Sequence, residues 1–193
     1  MKTVGIIIVT LVIVFGAAWL LFTKGNTSLD QKLANQPGDF SHVPSDDELM
    51  AGLKNAGLAA LSAEGTVMHI HQHLDIIING QAIVIPADIG IGTTFISPIH
   101  VHDTTGVLHV ESPVVKDFTL GEFFTEWGVK FDDNCVSTFC ADDTHKLIVA
   151  VNGQPITNAA NYVLKAHDEI EVWYGPTDQN PTFIPSYTFA AGL

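Results

Sequence analysis

Hydrophobic and polar residues follow three successive patterns along the chain, and the first is an unbroken apolar run. Residues 4–22 carry no charge. As a helix they would span roughly 28 Å, at about 1.5 Å per residue, close to the hydrocarbon thickness of a bilayer. A cleaved signal peptide is the alternative, but the bulky residues 19–22 follow the small residues 16–18, which disfavours cleavage there. The pattern predicts a transmembrane anchor over residues 1–24 and export of the remaining chain.

The second pattern is a polar segment that contains one helical signal. Residues 25–65 are interrupted by glycine and proline, as is typical of a tether. Within them, Ser45 and Glu48 form a capping-box pattern, with acidic residues at the positive end of a helix dipole. We expect a short helix over about residues 46–61.

From Val67 onward, polar and apolar residues alternate with a period of two, which is typical of β-strands. Asn79-Gly80 predicts a tight turn between the first two strands. A second capping box begins a helix at Thr119, and Gly128 is its expected end. The strands are expected at residues 67–78, 81–86, 98–102, 107–111, 146–151 and 169–174.

This order of elements predicts an α+β fold that is mostly β. A hairpin followed by a helix and two strands is the order of a β-grasp unit, and the chain places an extra β-hairpin before it. We therefore expect a β-grasp-like domain over residues 66–193, preceded by the tether and the transmembrane helix.

Composition limits the partners of this domain. The chain has eight Lys, no Arg and 21 acidic residues, for a formal net charge of −13. Nucleic acid is excluded, because phosphate contacts need clustered basic residues. An anionic membrane surface would also repel the domain. Contact with the membrane is expected through the anchor, and no protein partner is indicated.

Nine histidines are present, and six of them lie between residues 69 and 109. Side chains alternate between the two faces of a strand, so histidines two residues apart share a face. The opposite face of each segment is aliphatic. If the turn at residues 103–106 contains four residues, His100 lies directly across from His109. The polar positions are His69, His71, His73 and Asp75, then His100, His102 and Asp103, then His109 and Glu111.

Neutral imidazole is the commonest protein ligand for copper and zinc, and a His-x-His pair presents two rings to one ion. We predict one transition metal ion, copper first and zinc second. Residues 69 and 73 lie roughly 13 Å apart along a strand, too far for one ion to bridge. His69 is ranked below His73 because the latter adjoins Asp75. The expected ligands are His71, His73, His100, His102 and His109, with His69, Asp75, Asp103 and Glu111 as further ligands or orienting groups.

Three interpretations of these histidines differ in function. In the first, an exported protein captures, stores or delivers metal. In the second, three histidines leave one coordination position open for water or substrate, and the protein is a metalloenzyme. In the third, the domain is structural or interacts with a partner, and the histidines form a pH-responsive surface. The sequence leaves open whether the protein is an enzyme.

Cys135 and Cys140 are the sole cysteines. Their spacing closes a small disulfide loop, which an exported domain permits. A thiolate metal site with His145 is the alternative. His42 and His167 are expected to lie outside the metal site.

Four motifs stand out in the extended segments and at the second capping box: His69-Ile70-His71-Gln72-His73-Leu74, Pro98-Ile99-His100-Val101-His102-Asp103 with Gly106, His109-Val110-Glu111-Ser112-Pro113, and Phe118-Thr119-Leu120-Gly121-Glu122. Together they resemble the motifs of an uncharacterised family of membrane-anchored or secreted proteins of archaea and actinobacteria. The likeness covers most of residues 45–193 and implies an anchored, exported protein whose histidines act as a unit. It implies no particular activity.

Overall fold

A computed structural model describes residues 39–193. The expected anchor over residues 1–24 and residues 25–38 of the expected tether lie outside the described residues. Within residues 39–193, no helix combines the length and the apolar character that crossing a membrane requires.

Two capped helices form where the capping boxes predict them. Helix α1 (Asp46–Ala56) begins at Ser45, whose side chain accepts a hydrogen bond from the Glu48 backbone. Helix α2 (Leu120–Trp127) begins at Thr119 in the same way and ends at Gly128. Helix α1 is five residues shorter than expected, because Gly57 adopts a left-handed conformation and ends it.

Seven strands form one mixed sheet: β1 (Met68–Ile78), β2 (Gln81–Ile83), β3 (Ile99–His100), β4 (Val107–Ser112), β7 (His145–Val151), β8 (Gln154–Ile156) and β9 (Glu169–Pro176). Strands β5 (Cys135–Val136) and β6 (Phe139–Cys140) form a separate two-stranded sheet. The order in the main sheet is β3-β4-β1-β9-β7-β8, with β2 paired to β1. Strands β1 and β9 are parallel, and the other pairs are antiparallel.

The first hairpin differs from the expected extra unit. Its turn pairs Ile78 with Gln81, as Asn79-Gly80 predicts. However, β2 ends at Ile83, and β1 continues through the middle of the sheet between β4 and β9. The long strand β1 has backbone groups that β2 is too short to pair, and these groups require other partners. The hairpin is therefore part of the main sheet.

The core lies on one face of this sheet. Leu74 and Ile76 of β1 are almost fully buried, as are Phe123 and Trp127 of α2. Burial of a side chain of this size contributes about 1.5–3 kcal/mol. A one-residue slip of β1 would move this apolar set to the other face, so the core fixes the register. That register places residues 69, 71, 73 and 75 on the face opposite the helices.

Candidate metal centre

Three neighbouring strands carry the histidines of the candidate site. In the register of β1, β4 and β3, His71 lies opposite His109, and His109 lies opposite His100. His69 lies opposite Glu111. The pairing of His100 with His109 is the one that a four-residue turn predicts. One row of imidazoles thus crosses three strands.

On each side of β4, two histidines have ring nitrogens that converge: one pair lies in β1, and the other consists of His100 of β3 and His102 in the turn that follows. The Nε2 atoms of His69 and His71 are 3.1 Å apart. Those of His100 and His102 are 3.2 Å apart. Two nitrogens bound to one zinc ion at 2.0–2.1 Å would be about 3.3–3.4 Å apart in a tetrahedron, and about 2.8–3.0 Å apart at a right angle. Both pairs therefore have the spacing of two ligands on one ion.

The middle strand β4 supplies the groups that both pairs share. Oε1 of Glu111 is 3.1 Å from Nδ1 of His109, 3.2 Å from Nε2 of His69 and 4.0 Å from Nε2 of His100. These residues form two overlapping sets of donors that could hold a metal ion, each with all its ligand atoms within 4.8 Å of one another. The sets are His69, His71, His109 and Glu111, and His100, His102, His109 and Glu111.

The site combines buried donors with donors that are exposed to solvent. His71, His100 and Glu111 are buried. The side chains of His69 and His102 are 53% and 42% exposed. Each pair thus combines one histidine fixed in the sheet with one that solvent reaches, and an ion could enter without opening the core.

Burial keeps the central imidazoles neutral. It lowers the pKa of His100 to about 4, although the bond to Ser97 opposes the effect. Burial and then the charges of His71, His102 and His100 lower the pKa of His109 to about 3. Burial and His69 also lower the pKa of His71. A metal ligand must present an unprotonated nitrogen, so these rings are ready for metal at neutral pH.

A hydrogen bond selects the nitrogen that His100 offers. Its Nδ1–H donates to the Ser97 carbonyl oxygen at 3.0 Å, which leaves the Nε2 lone pair directed at the site. The Ser97 hydroxyl accepts from the Ile99 backbone and donates to the buried Glu126 carboxyl group. Ser97 is therefore fixed from both sides and orients the His100 ring.

Glu64 is a site residue that the strand pattern does not reveal. Its Oε1 is 3.6 Å from Nε2 of His102, and its carboxyl group contacts that of Glu111. Gly65 permits this position, since a Cβ there would lie 2.0 Å from the carbonyl carbon of Ser112. Glu64 precedes β1 in a loop, outside the alternation, and the absence of a side chain at Gly65 is the one local signal.

His73 lies apart from these two sets, in contrast to its ranking above His69. It is opposite Val107 in β4, where no donor is available. Its Nδ1 is 2.8 Å from Glu169 of β9 and 3.9 Å from Asp75, and its Nε2–H donates to the Thr105 carbonyl oxygen at 2.9 Å. His73, Asp75 and Glu169 form a third set that could hold a metal ion.

The parallel pairing of β1 with β9 produces this third set. Burial lowers the pKa of His73, but the hydrogen bond and charge of Glu169, together with Asp75, outweigh it and raise the pKa above its ordinary value. Burial also raises the pKa of Glu169. Both ring nitrogens of His73 have acceptors, so the protonated ring satisfies this environment and cannot at the same time bind metal.

The C-terminal segment, residues 177–193, crosses the sheet beside His73. The Tyr187 ring stacks on the His73 ring with the centroids 3.8 Å apart. The Ile184 backbone donates to Glu171, the neighbour of Asp75 across the β1–β9 pair. The segment encloses His73 and helps to explain its burial.

Asp103 lies near His102 and His109 but is not one of the donors that converge at the metal site. It is exposed, and its carboxylate accepts bonds from the backbone and hydroxyl of Thr105 within its own turn. Aspartate at the start of a turn commonly bonds the backbone two residues ahead. Local turn chemistry therefore accounts for Asp103, and Glu111 is the acidic residue that joins the histidines.

The other three histidines lie outside both sets. His42 precedes α1, and His145 begins β7, where its ring stacks on Tyr174. His167 is closer than expected, since its backbone donates to the His71 carbonyl oxygen at 2.7 Å and its charge acts on the His71 ring.

Cys135 and Cys140 form a disulfide that joins β5 to β6. With the two Sγ atoms bonded to each other, neither offers a thiolate to a metal. The donor set on the sheet is therefore nitrogen and oxygen alone.

Comparison with known proteins adds no relative. No family model, curated protein or solved structure matches the chain.

Proposed function

We propose that this protein binds copper or zinc through His69, His71, His100, His102, His109 and Glu111, and that it captures or delivers the metal outside the cytoplasm. One observation carries the proposal. Two His-x-His pairs, each with ligand-like spacing, converge on the shared pair His109 and Glu111.

The donor chemistry favours copper and zinc. Imidazole suits both, and divalent copper exceeds its neighbours in affinity for nitrogen sites. Neither cysteine offers a thiolate, because the two are oxidised to a disulfide, and Met68 packs against the core on the other face of β1. A carboxylate beside three imidazoles is a common surrounding for a divalent ion.

The arrangement supports binding more than catalysis. Each set offers four donor residues, which can close the coordination shell of a tetrahedral ion. The described part of the chain has cavities beside Tyr162 and beside His42 and Trp127, and no donor of the site lines either of them. An open ion at the floor of a substrate pocket would support the metalloenzyme interpretation.

The proposal includes an N-terminal anchor and a β-grasp-like domain. The apolar residues 4–22 support the anchor, and the disulfide is consistent with an exported domain. The strand order β4-β1-β9-β7-β8, with β1 parallel to β9 and α2 between β4 and β7, supports a β-grasp-like arrangement. The motifs quoted above support membership of the archaeal and actinobacterial family.

A competition titration tests metal binding. Zn²⁺ and Cu²⁺ are added to the full chain, purified without a polyhistidine tag, in the presence of a chromogenic chelator. The variant His69→Ala/His102→Ala removes the exposed histidine of each pair and keeps the buried residues His71, His100 and Glu111. The control His42→Ala/His145→Ala removes two histidines outside the site.

The site variant should bind more than about 100-fold more weakly, since loss of a partner behind the ligands alone costs about 10–100-fold. The control should bind like the parent. A parent that fails to compete with the chelator, or a site variant as tight as the control, would contradict the proposal.

A further inference from the structure

We propose that the centre holds two metal ions, one in each His-x-His pair, with Glu111 between them. This inference rests on the proposed function and specifies its stoichiometry. The sequence alone leads to a single ion.

The number of donors exceeds what one ion uses. Five imidazoles and the carboxylates of Glu64 and Glu111 surround the site. Zinc takes about four ligands and at most about five. A single ion would therefore leave several histidines without a role, although their rings converge as closely as those that bind it.

The donors are also divided symmetrically. Strands β1 and β3 lie on either side of β4; β1 contributes His69 and His71, and β3 with the turn that follows it contributes His100 and His102. The Nε2 separation is 3.1 Å in the first pair and 3.2 Å in the second. Each pair has one buried and one exposed histidine, and each forms its own set with His109 and Glu111. Two half-sites share the middle strand, and because His109 offers one unprotonated nitrogen it can bind one of the two ions, while Glu64 beside His102 is available to the ion of the other half-site.

Glu111 has the chemistry of a bridge. Its Oε1 approaches Nε2 of His69 on one side, at 3.2 Å, and Nε2 of His100 on the other, at 4.0 Å. A carboxylate has two oxygens and about four lone-pair positions, enough for two ions, and two-ion centres have ions about 3.5–4 Å apart. Imidazole is neutral, so Glu111 supplies negative charge to both ions.

Glu64 provides a second carboxylate at the same place. It contacts Glu111 and lies 3.6 Å from His102. Two carboxylates in contact repel each other unless a proton or a cation lies with them. A bound cation removes that repulsion, and Glu64 adds a donor beside the pair His100 and His102.

Metal content after saturation tests the inference. The full chain without a polyhistidine tag is dialysed against buffered Zn²⁺, and bound zinc is counted by mass spectrometry. The parent should hold two ions. His69→Ala and His102→Ala are matched variants, because each removes the exposed histidine of one pair. Each should hold one tight ion and lose the other.

Copper provides an independent readout. Two Cu²⁺ ions bridged by Glu111 should couple magnetically and lower the integrated electron paramagnetic resonance signal below two spins. His69→Ala and His102→Ala should each give the full signal of one isolated Cu²⁺. Both replaced side chains are exposed, so the variants should fold. Retention of one ion would show that they have done so.

The third set provides a control, since a second ion could reside there instead. His73→Ala and the milder Asp75→Asn should both keep two ions. Loss of one ion in either would overturn the two-ion centre and assign the second ion to His73. A parent that holds one ion would also overturn the two-ion centre, as would loss of all metal in His69→Ala or His102→Ala. Either result would leave the proposed function, metal binding by the parent, uncontradicted. A parent without metal would contradict the proposed function itself.

Discussion

Acidification of the metal-free protein should lower its unfolding free energy, because two largely buried histidines stay neutral in the folded chain. Burial lowers the pKa of His100 to about 4, and burial with neighbouring histidines lowers that of His109 to about 3. In the unfolded chain an ordinary histidine titrates near 6.5. Between these values the unfolded chain binds more protons than the folded one, so stability falls as the pH falls.

The size of the effect follows from the shifts. At pH 7.5 both states are neutral, and neither histidine contributes. At pH 5.0 the unfolded chain has bound a proton at each position and the folded chain has not. Each unit by which the pH lies below the unfolded pKa is worth about 1.4 kcal/mol. At pH 5.0, about 1.5 units below that pKa, each of the two histidines therefore lowers the unfolding free energy by about 2 kcal/mol.

Urea unfolding with a chelator present, at pH 7.5 and pH 5.0, measures this loss. His109→Asn removes one of the two groups, and its loss between the two pH values should be about 2 kcal/mol smaller than that of the parent. The other titrating groups, including His73 and Glu169 with their raised pKa values, remain in both proteins and cancel. An equal loss in His109→Asn and the parent would refute a depressed pKa at His109.

Three further predictions concern the rest of the molecule. His73→Ala leaves the buried Glu169 carboxyl group without its partner and should lower the unfolding free energy by about 3 kcal/mol in urea titrations. The loss should be smaller in His73→Ala/Glu169→Gln, and equal losses in the two variants would contradict an ion pair. Cys135→Ser/Cys140→Ser should cost about 2 kcal/mol through loss of loop constraint and leave metal stoichiometry unchanged, as mass spectrometry would check. A reporter enzyme fused after residue 193 should be active when it requires export, and activity confined to a cytoplasmic reporter would contradict the anchor at residues 4–22.

Features that depend on local sequence were predictable. Capping boxes at Ser45 and Thr119 form as their residue types require. The alternation of β1 correctly places its histidines opposite the aliphatic residues, because a strand has a period of two whatever it pairs with. The facing of His100 and His109 follows from the length of one turn.

Features that depend on distant pairing were not. The parallel contact of β1 with β9 joins His73 to Glu169, 96 residues away, and no periodicity encodes such a partner. That contact engages the His73 ring with Glu169, outside the two sets that contain the other site histidines, and the histidine ranking changes with it. Glu64 reaches the site from a loop through the close approach of Gly65 to Ser112, which the strand pattern does not describe.

Metal analysis of the protein as it is made in cells tests the central claim most directly. The full chain is purified without a polyhistidine tag or added metal, and copper and zinc are measured beside His69→Ala/His102→Ala. Copper or zinc should accompany the parent in stoichiometric amount and be largely absent from the variant. A parent without either metal, or the same metal content in parent and variant, would contradict the assignment of these histidines as a metal centre.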